Sequence, residues 1–226
     1  AFFWAAFDLT RKITLQKINS INLLLIFTLA QSFVFVTWMF FEDFSINLRP
    51  YLLPGIILII IGLSSALLFL RAIKQSDLSL TIPLLSLSPM FSSLFSLLFL
   101  DEQLSQTQYF AVFLIIVGTL ILYSKKFTIN ELSKSFIVIW KNSSAKLMII
   151  VSIIWSLTPV LDKLCLKNSS VNIHGLIQSL GMVVLLIFFV KRKGKAEIGI
   201  AKKNWKIIFL TISVGTAATI LQFYAI

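Results

Sequence analysis

Trp4-Ala-Ala-Phe-Asp-Leu-Thr-Arg-Lys12 and Trp155-Ser-Leu-Thr-Pro-Val-Leu-Asp-Lys163 are the two stretches that decide the fold. In each, a tryptophan is followed eight positions later by a lysine, and each pair closes an apolar segment. The second pair lies 151 residues after the first. At nearly the same interval, Gly62 with Ala72-Ile73 recurs as Gly215 with Ala225-Ile226, 153 residues on. Two collinear coincidences at almost one interval point to an internal duplication.

The composition says where the duplicated chain resides. Of 226 residues, 58% are hydrophobic and only 13% are charged, with a mean hydropathy of +0.95. A soluble domain is about 45–50% apolar and about 25% charged, so this is an integral membrane protein. The net charge of +11 does not mark a nucleic-acid binder. Its basic residues fall in short runs between apolar spans, the way membrane proteins set their orientation. The single cysteine, Cys165, excludes an intrachain disulfide and reads as packing among apolar neighbours. No zinc or haem motif is present, and no metal site is expected.

A helix needs about 20 apolar residues to cross the hydrocarbon core. Seven segments qualify, at roughly 21–41, 52–71, 79–99, 108–124, 147–164, 171–190 and 207–226. An eighth, partial segment precedes them and ends near Leu9. No repeated ten-residue alternation supports a membrane barrel. Ser20 is the expected cap of the second segment, and Ser105 with Gln108 forms a capping box for the fifth. Pro50 and Pro54 frame the start of the third. Residues 125–146 hold the longest non-spanning stretch, whose apolar core Phe136–Trp140 is too short to cross.

Of the 20 Lys and Arg residues, 17 fall in the loops after segments 1, 3, 5 and 7. That bias places the odd-numbered loops in the cytoplasm. The second Trp/Lys pair lies in segment 6, so the repeating unit holds five helices. An odd number of crossings inverts the second copy, giving an inverted repeat with a pseudo-twofold axis in the membrane plane, the architecture of transporters with two related conformations. Residues 1–124 are the first repeat, 125–146 a cytoplasmic linker, and 147–226 the second repeat. The fold class is thus an all-α polytopic helix bundle of ten helices, five plus five, of which about eight are present. The chain begins on Ala1 and ends on Ile226 inside an apolar run. The expectation is a fragment, lacking the start of its first helix and two spans beyond Ile226.

Several motifs carry a family resemblance. They are Trp4…Lys12, Leu70-Arg71-Ala72-Ile73, Thr81 to Pro89 with its two prolines, Phe99 to Ser105 with Gly118, and Trp155 to Pro159 with Asp162-Lys163. Together the chain resembles the drug/metabolite transporter superfamily, EamA-like branch, over nearly its whole length. That resemblance implies a ten-helix secondary transporter with a central cavity, moving small metabolites or drugs.

Candidate path residues lie on polar stripes. In segment 4, Pro83 and Pro89 remove backbone donors and free carbonyls, while Ser86, Pro89, Ser93 and Ser96 share one face. The plainer reading is close packing with serines bonded to their own backbone. In segment 7, His174, Gln178 and Gly181 share a face. A histidine within a span is costly unless it faces protein or water, and it titrates near neutrality. His174 and Gln178 are therefore candidate path residues, with proton coupling as the option that the histidine offers, against a plainer satisfied histidine. Thr211, Gly215, Thr219 and Gln222 share a face of segment 8, where Gln222 is the cavity candidate. Trp4 and Trp155 are path candidates with a shared architectural alternative. Lys12 and Lys163 are gate candidates, alongside a reading in which they, Asp8 and Asp162 snorkel to headgroups. Asp101 and Glu102 read as carboxylates favoured at a helix start.

No phosphate-binding loop is present, so energy must come from a gradient or exchange. The expected partners are the lipid bilayer, a small-molecule substrate and a second copy in a homodimer, with no nucleic acid and no catalytic residues or resident cofactor. The expected place is the cell inner (plasma) membrane. A lipid-linked metabolite flippase uses the same scaffold, and a non-transporting scaffold or sensor is the other class to be tested.

Overall fold

A computed structural model describes residues 2–76, 78–100, 105–123, 140–193 and 203–225. The helices are α1 Phe2–Leu15, α2 Ser20–Trp38, α3 Leu48–Gln75, α4 Leu78–Thr81, α5 Ser88–Leu100, α6 Gln106–Tyr123, α7 Ser143–Leu166, α8 Val171–Lys193 and α9 Trp205–Ala225. A 3-10 stretch, Ile82–Leu87, joins α4 to α5. The chain is thus a helical bundle, and the described residues contain no strand. Five segments are long and apolar enough to cross a membrane: Ser20–Trp38, Leu48–Gln75, Ser143–Leu166, Val171–Phe189 and Trp205–Ala225. Asp101, Glu102 and the linker residues 125–139 lie outside the described residues.

The local chemistry accounts for most helix ends. The capping box forms: Ser105 N–H donates to Gln108 Oε1 at 2.7 Å, and Gln108 N–H returns to Ser105 Oγ at 3.4 Å. The cap of α2 is Asn19 rather than Ser20, since the Asn19 side chain accepts from Asn22 N–H at 3.0 Å. Asn19→Ala should therefore lower stability by about 0.5–2 kcal/mol, whereas Ser20→Ala should change it little; denaturation of the purified protein in detergent compares the two.

Two expectations need correction. The first helix does not end near Leu9 but continues to Leu15. Thr10 and Thr14 return their hydroxyls to the Phe7 and Thr10 carbonyls, and Arg11 lies buried instead of marking a helix end. Segment 4 is not one α-helix. The chain tightens to 3-10 geometry between Pro83 and Pro89, where missing N–H groups interrupt the regular ladder. Pro54 and Pro159, by contrast, stay inside α3 and α7. The helix read from 147 onward begins at Ser143.

The chain divides into two compact units, one of residues 1–70 with 161–226, the other of residues 71–160. In the first, α2 lies along α8, α1 lies along α9, and α9 also touches α2 and α8. The α2–α8 approach depends on Gly175, because a Cβ there would strike the Phe35 ring. Small residues let membrane helices close in this way. One end of the unit is sewn by its loops. Asn47 N–H donates to Asn168 O at 2.7 Å, and Ser170 N–H donates to Ser45 O at 2.9 Å, around an antiparallel bridge between Ile46 and Ser169. In the second unit, α4, α5 and α6 surround the 3-10 stretch.

Candidate functional site

The paired loops bring three helix ends together, and buried polar side chains meet there. Tyr51 stands in the first turn of α3, where its N–H donates to Asn47 O. His174 stands in the first turn of α8, with its N–H on Ser170 O. Asp162 lies one turn before the end of α7. The Tyr51 hydroxyl is 2.8 Å from His174 Nδ1, and His174 Nε2 is 3.1 Å from Asp162 Oδ1. Gln178, one turn along α8, donates from Nε2 to the Tyr51 hydroxyl at 3.4 Å and to Gly55 O at 3.2 Å. His174 is 0% exposed and Tyr51 2%. Gly55 makes the geometry possible, since a Cβ there would lie 2.6 Å from Tyr51 Cε1. Phe223 of α9 closes the edge, its ring 4.9 Å from the imidazole. Tyr51 also packs with Leu58 and Cys165.

The bonds order the hydrogens. A carboxylate only accepts, so His174 donates Nε2–H to Asp162. In a neutral imidazole Nδ1 then accepts, and Tyr51 donates to it. The Tyr51 oxygen accepts from Gln178, whose amide spends its other hydrogen on Gly55 O. Every donor has an acceptor. An acid, an imidazole and a hydroxyl in a row also resemble a nucleophilic triad, but the Tyr51 oxygen is buried and bonded on both sides. Among the described residues no group of three His, Cys, Asp or Glu side chains is arranged for a metal ion.

A second polar cluster occupies the other end of the same unit. Arg11 pairs with Asp8, and its guanidinium lies over the Phe7 and Phe69 rings at 4.0 and 4.4 Å. Thr14 and Thr211 meet at 3.1 Å, joining α1 to α9. Tyr51 and Phe69 are about 27 Å apart along α3 at helical rise, close to the thickness of a bilayer core. Between the clusters, Gln31 of α2 donates to Thr219 of α9 at 3.0 Å.

Of the path candidates, His174 and Gln178 belong to one network. The α9 face of Thr211, Gly215 and Thr219 is spent on packing and hydrogen bonds, with Gly215 under the Phe7 and Phe27 rings. Gln222 is half-buried beside Phe223. In the second unit, Ser86 donates to Pro83 O at 2.5 Å and meets Thr119 of α6 at 2.9 Å. Ser93 donates to Pro89 O at 2.7 Å. Both serines thus bond their own backbone, and Ser86 adds a bond to the neighbouring helix. Trp4 is half-buried with its ring 5.9 Å from that of Phe7; Trp155 is half-buried in the second unit. Lys12 and Lys163 are both half-buried in the first unit, Lys12 near the Thr14–Thr211 end and Lys163 near the paired loops.

Sequence reasoning found His174 and Gln178 but missed Tyr51, and it gave Asp162 to the headgroups. Tyr51 is 123 positions from His174, so no local period joins them. The available signal was Asp162 itself, an acid that with Lys163 interrupts an otherwise apolar helix end.

Comparison with known proteins adds one match. Residues 1–124 fit the model of a family described as the EamA-like transporter family. No curated protein sequence matches the chain.

Proposed function

The chain belongs to the EamA-like transporter family, and on that premise we propose that it is a secondary transporter of small metabolites working by alternating access. The observation that carries the reading is the set of polar pairs buried between apolar helices. Thr14–Thr211, Gln31–Thr219 and the chain from Asp162 to Gln178 lie in helices that cross or line a multi-pass membrane bundle. Polar and ionisable groups in such helices are expensive, and they accompany solute or ion paths.

The fuller reading is an inverted repeat of five plus five helices in the cell inner membrane, with residues 125–146 as the linker and self-association as a homodimer. Substrates would be amino-acid, nucleoside, sugar-derivative or drug-like solutes. The path candidates are Ser86, Pro89, Ser93 and Trp155 in one unit and Trp4, His174, Gln178 and Gln222 in the other, with Lys12 and Lys163 as gate candidates.

The test is a screen in liposomes of radiolabelled amino acids, nucleosides and sugar derivatives, with and without a pH gradient. Saturable uptake of one class, with counterflow, is expected. Uptake of none, with movement of a fluorescent lipid-linked sugar instead, would replace the reading with a flippase.

A further inference from the structure

We propose that Asp162, His174 and Tyr51 form a proton-binding site, and that one proton at His174 Nδ1 moves the hold on α8 from α3 to α7. The proposal rests on the transporter reading for its purpose, since it names the ion that drives the cycle. Its structural part stands on the network alone.

The argument follows the hydrogens. With a neutral imidazole, each donor in the row from Gln178 to Asp162 has an acceptor, and Tyr51 O–H ties α3 to α8 through Nδ1. A proton from solvent adds to the Nδ1 lone pair, and no other bond forms or breaks covalently. Nδ1–H and the Tyr51 O–H then point at one another as two donors. If the phenol turns to accept from Nδ1–H, its oxygen accepts twice, because Gln178 already donates to it. Its own hydrogen then competes with Gln178 for the Gly55 carbonyl, which also serves the backbone ladder of α3, so one of the two donors is left short. A buried donor without an acceptor is unfavourable. At the same moment the Nε2–H bond to Asp162 becomes one between opposite charges and strengthens. The same proton therefore weakens α8 against α3 and tightens it against α7.

The surroundings suit a single-ion site. The titratable groups facing the imidazole are Tyr51 from α3 and Asp162 from α7, with Cys165 of α7 packed against Tyr51. Lys163 follows Asp162 on α7. From α9 comes the Phe223 ring, and from α2 the Phe35 ring, which lies against Gly175 and beside Phe223. Apolar rings leave the added charge to Asp162. A local change of charge biasing an element between two partners is how protonation of histidine acts as a switch.

The chain has one histidine, so the imidazole can be watched without interference. The protein is labelled with 15N-histidine and placed in lipid nanodiscs. At about pH 8 the spectrum should show one protonated and one bare ring nitrogen. The bare-nitrogen signal should be lost as the pH is lowered from there. In parallel, spin labels at Leu52→Cys on α3 and Leu180→Cys on α8, both exposed positions, are introduced in a Cys165→Ala background, which adds no polar atom beside Tyr51. Their separation should lengthen on acidification in this parent and stay fixed in Tyr51→Phe, which lacks the donor at the root of the conflict. An imidazole that does not titrate on acidification overturns the proposal. So does a change in separation that survives Tyr51→Phe. Neither measurement uses a solute. An empty solute screen beside a titrating, moving site removes the transporter reading and leaves the switch; solute uptake beside a silent imidazole does the reverse.

Discussion

His174→Ala should lower the unfolding free energy by about 3–5 kcal/mol, the cost of leaving a buried charge without its partner. Three groups lose their partner at once. The Asp162 carboxylate loses its donor, Tyr51 loses its acceptor, and the space under Phe223 empties. The carboxylate dominates, because an unpaired ionised group in an apolar site costs more than an unpaired hydroxyl. Asp162→Asn should therefore cost less than His174→Ala, since the amide oxygen still accepts from Nε2–H. The double variant His174→Ala with Asp162→Asn should be more stable than His174→Ala alone, because its leftover group carries no charge. Reversible unfolding in mixed micelles orders the three variants. If the double variant is no better than His174→Ala, the Asp162 carboxylate is not the group that depends on the His174 donor, and the network has been assigned wrongly.

That ranking also explains what could be read in advance. Hydropathy and loop charge locate the spans, because crossing lipid demands about twenty apolar residues whatever the partner helices are. Caps were legible where the motif is reciprocal, as at Ser105 and Gln108. At Asn19 and Ser20 two good capping residues are adjacent, and only the backbone direction chooses between them. The prolines announced the break in segment 4, and the 3-10 stretch is its form. The site was half legible. His174 and Gln178 share a helical face, which is a local period. Tyr51 and Asp162 are joined to them only through the pairing of two loops, Asn47 with Asn168 and Ser45 with Ser170. Nothing within one helix encodes that register. The serines of segment 4 carried the opposite lesson. Their spacing is that of a polar stripe, yet Ser86 and Ser93 spend their hydroxyls on carbonyls of the preceding turn.

At the far end of the same unit, Asp8→Ala should destabilise the fold by about 3–5 kcal/mol, and adding Arg11→Met should recover much of the loss. Arg11 is 8% exposed, and its guanidinium lies over Phe7 and Phe69. Its charge is balanced by Asp8 one turn earlier on the same helix. Removing the carboxylate leaves that charge buried, and its Nε already has no hydrogen-bond acceptor. Methionine against the two rings keeps the apolar volume, gains sulfur–aromatic contact and removes the charge. Arg11→Lys should not substitute, because a compact ammonium cannot lie flat on the rings and is more strongly hydrated. A thermal-unfolding series of Asp8→Ala, Arg11→Met, the double variant and Arg11→Lys tests the ordering. If the double variant is as unstable as Asp8→Ala, the loss comes from the shape of α1 rather than from charge. If Arg11→Lys is neutral, the planar contact with the rings contributes nothing. Either result would return Asp8 to the headgroup role that its place near a helix end first suggested.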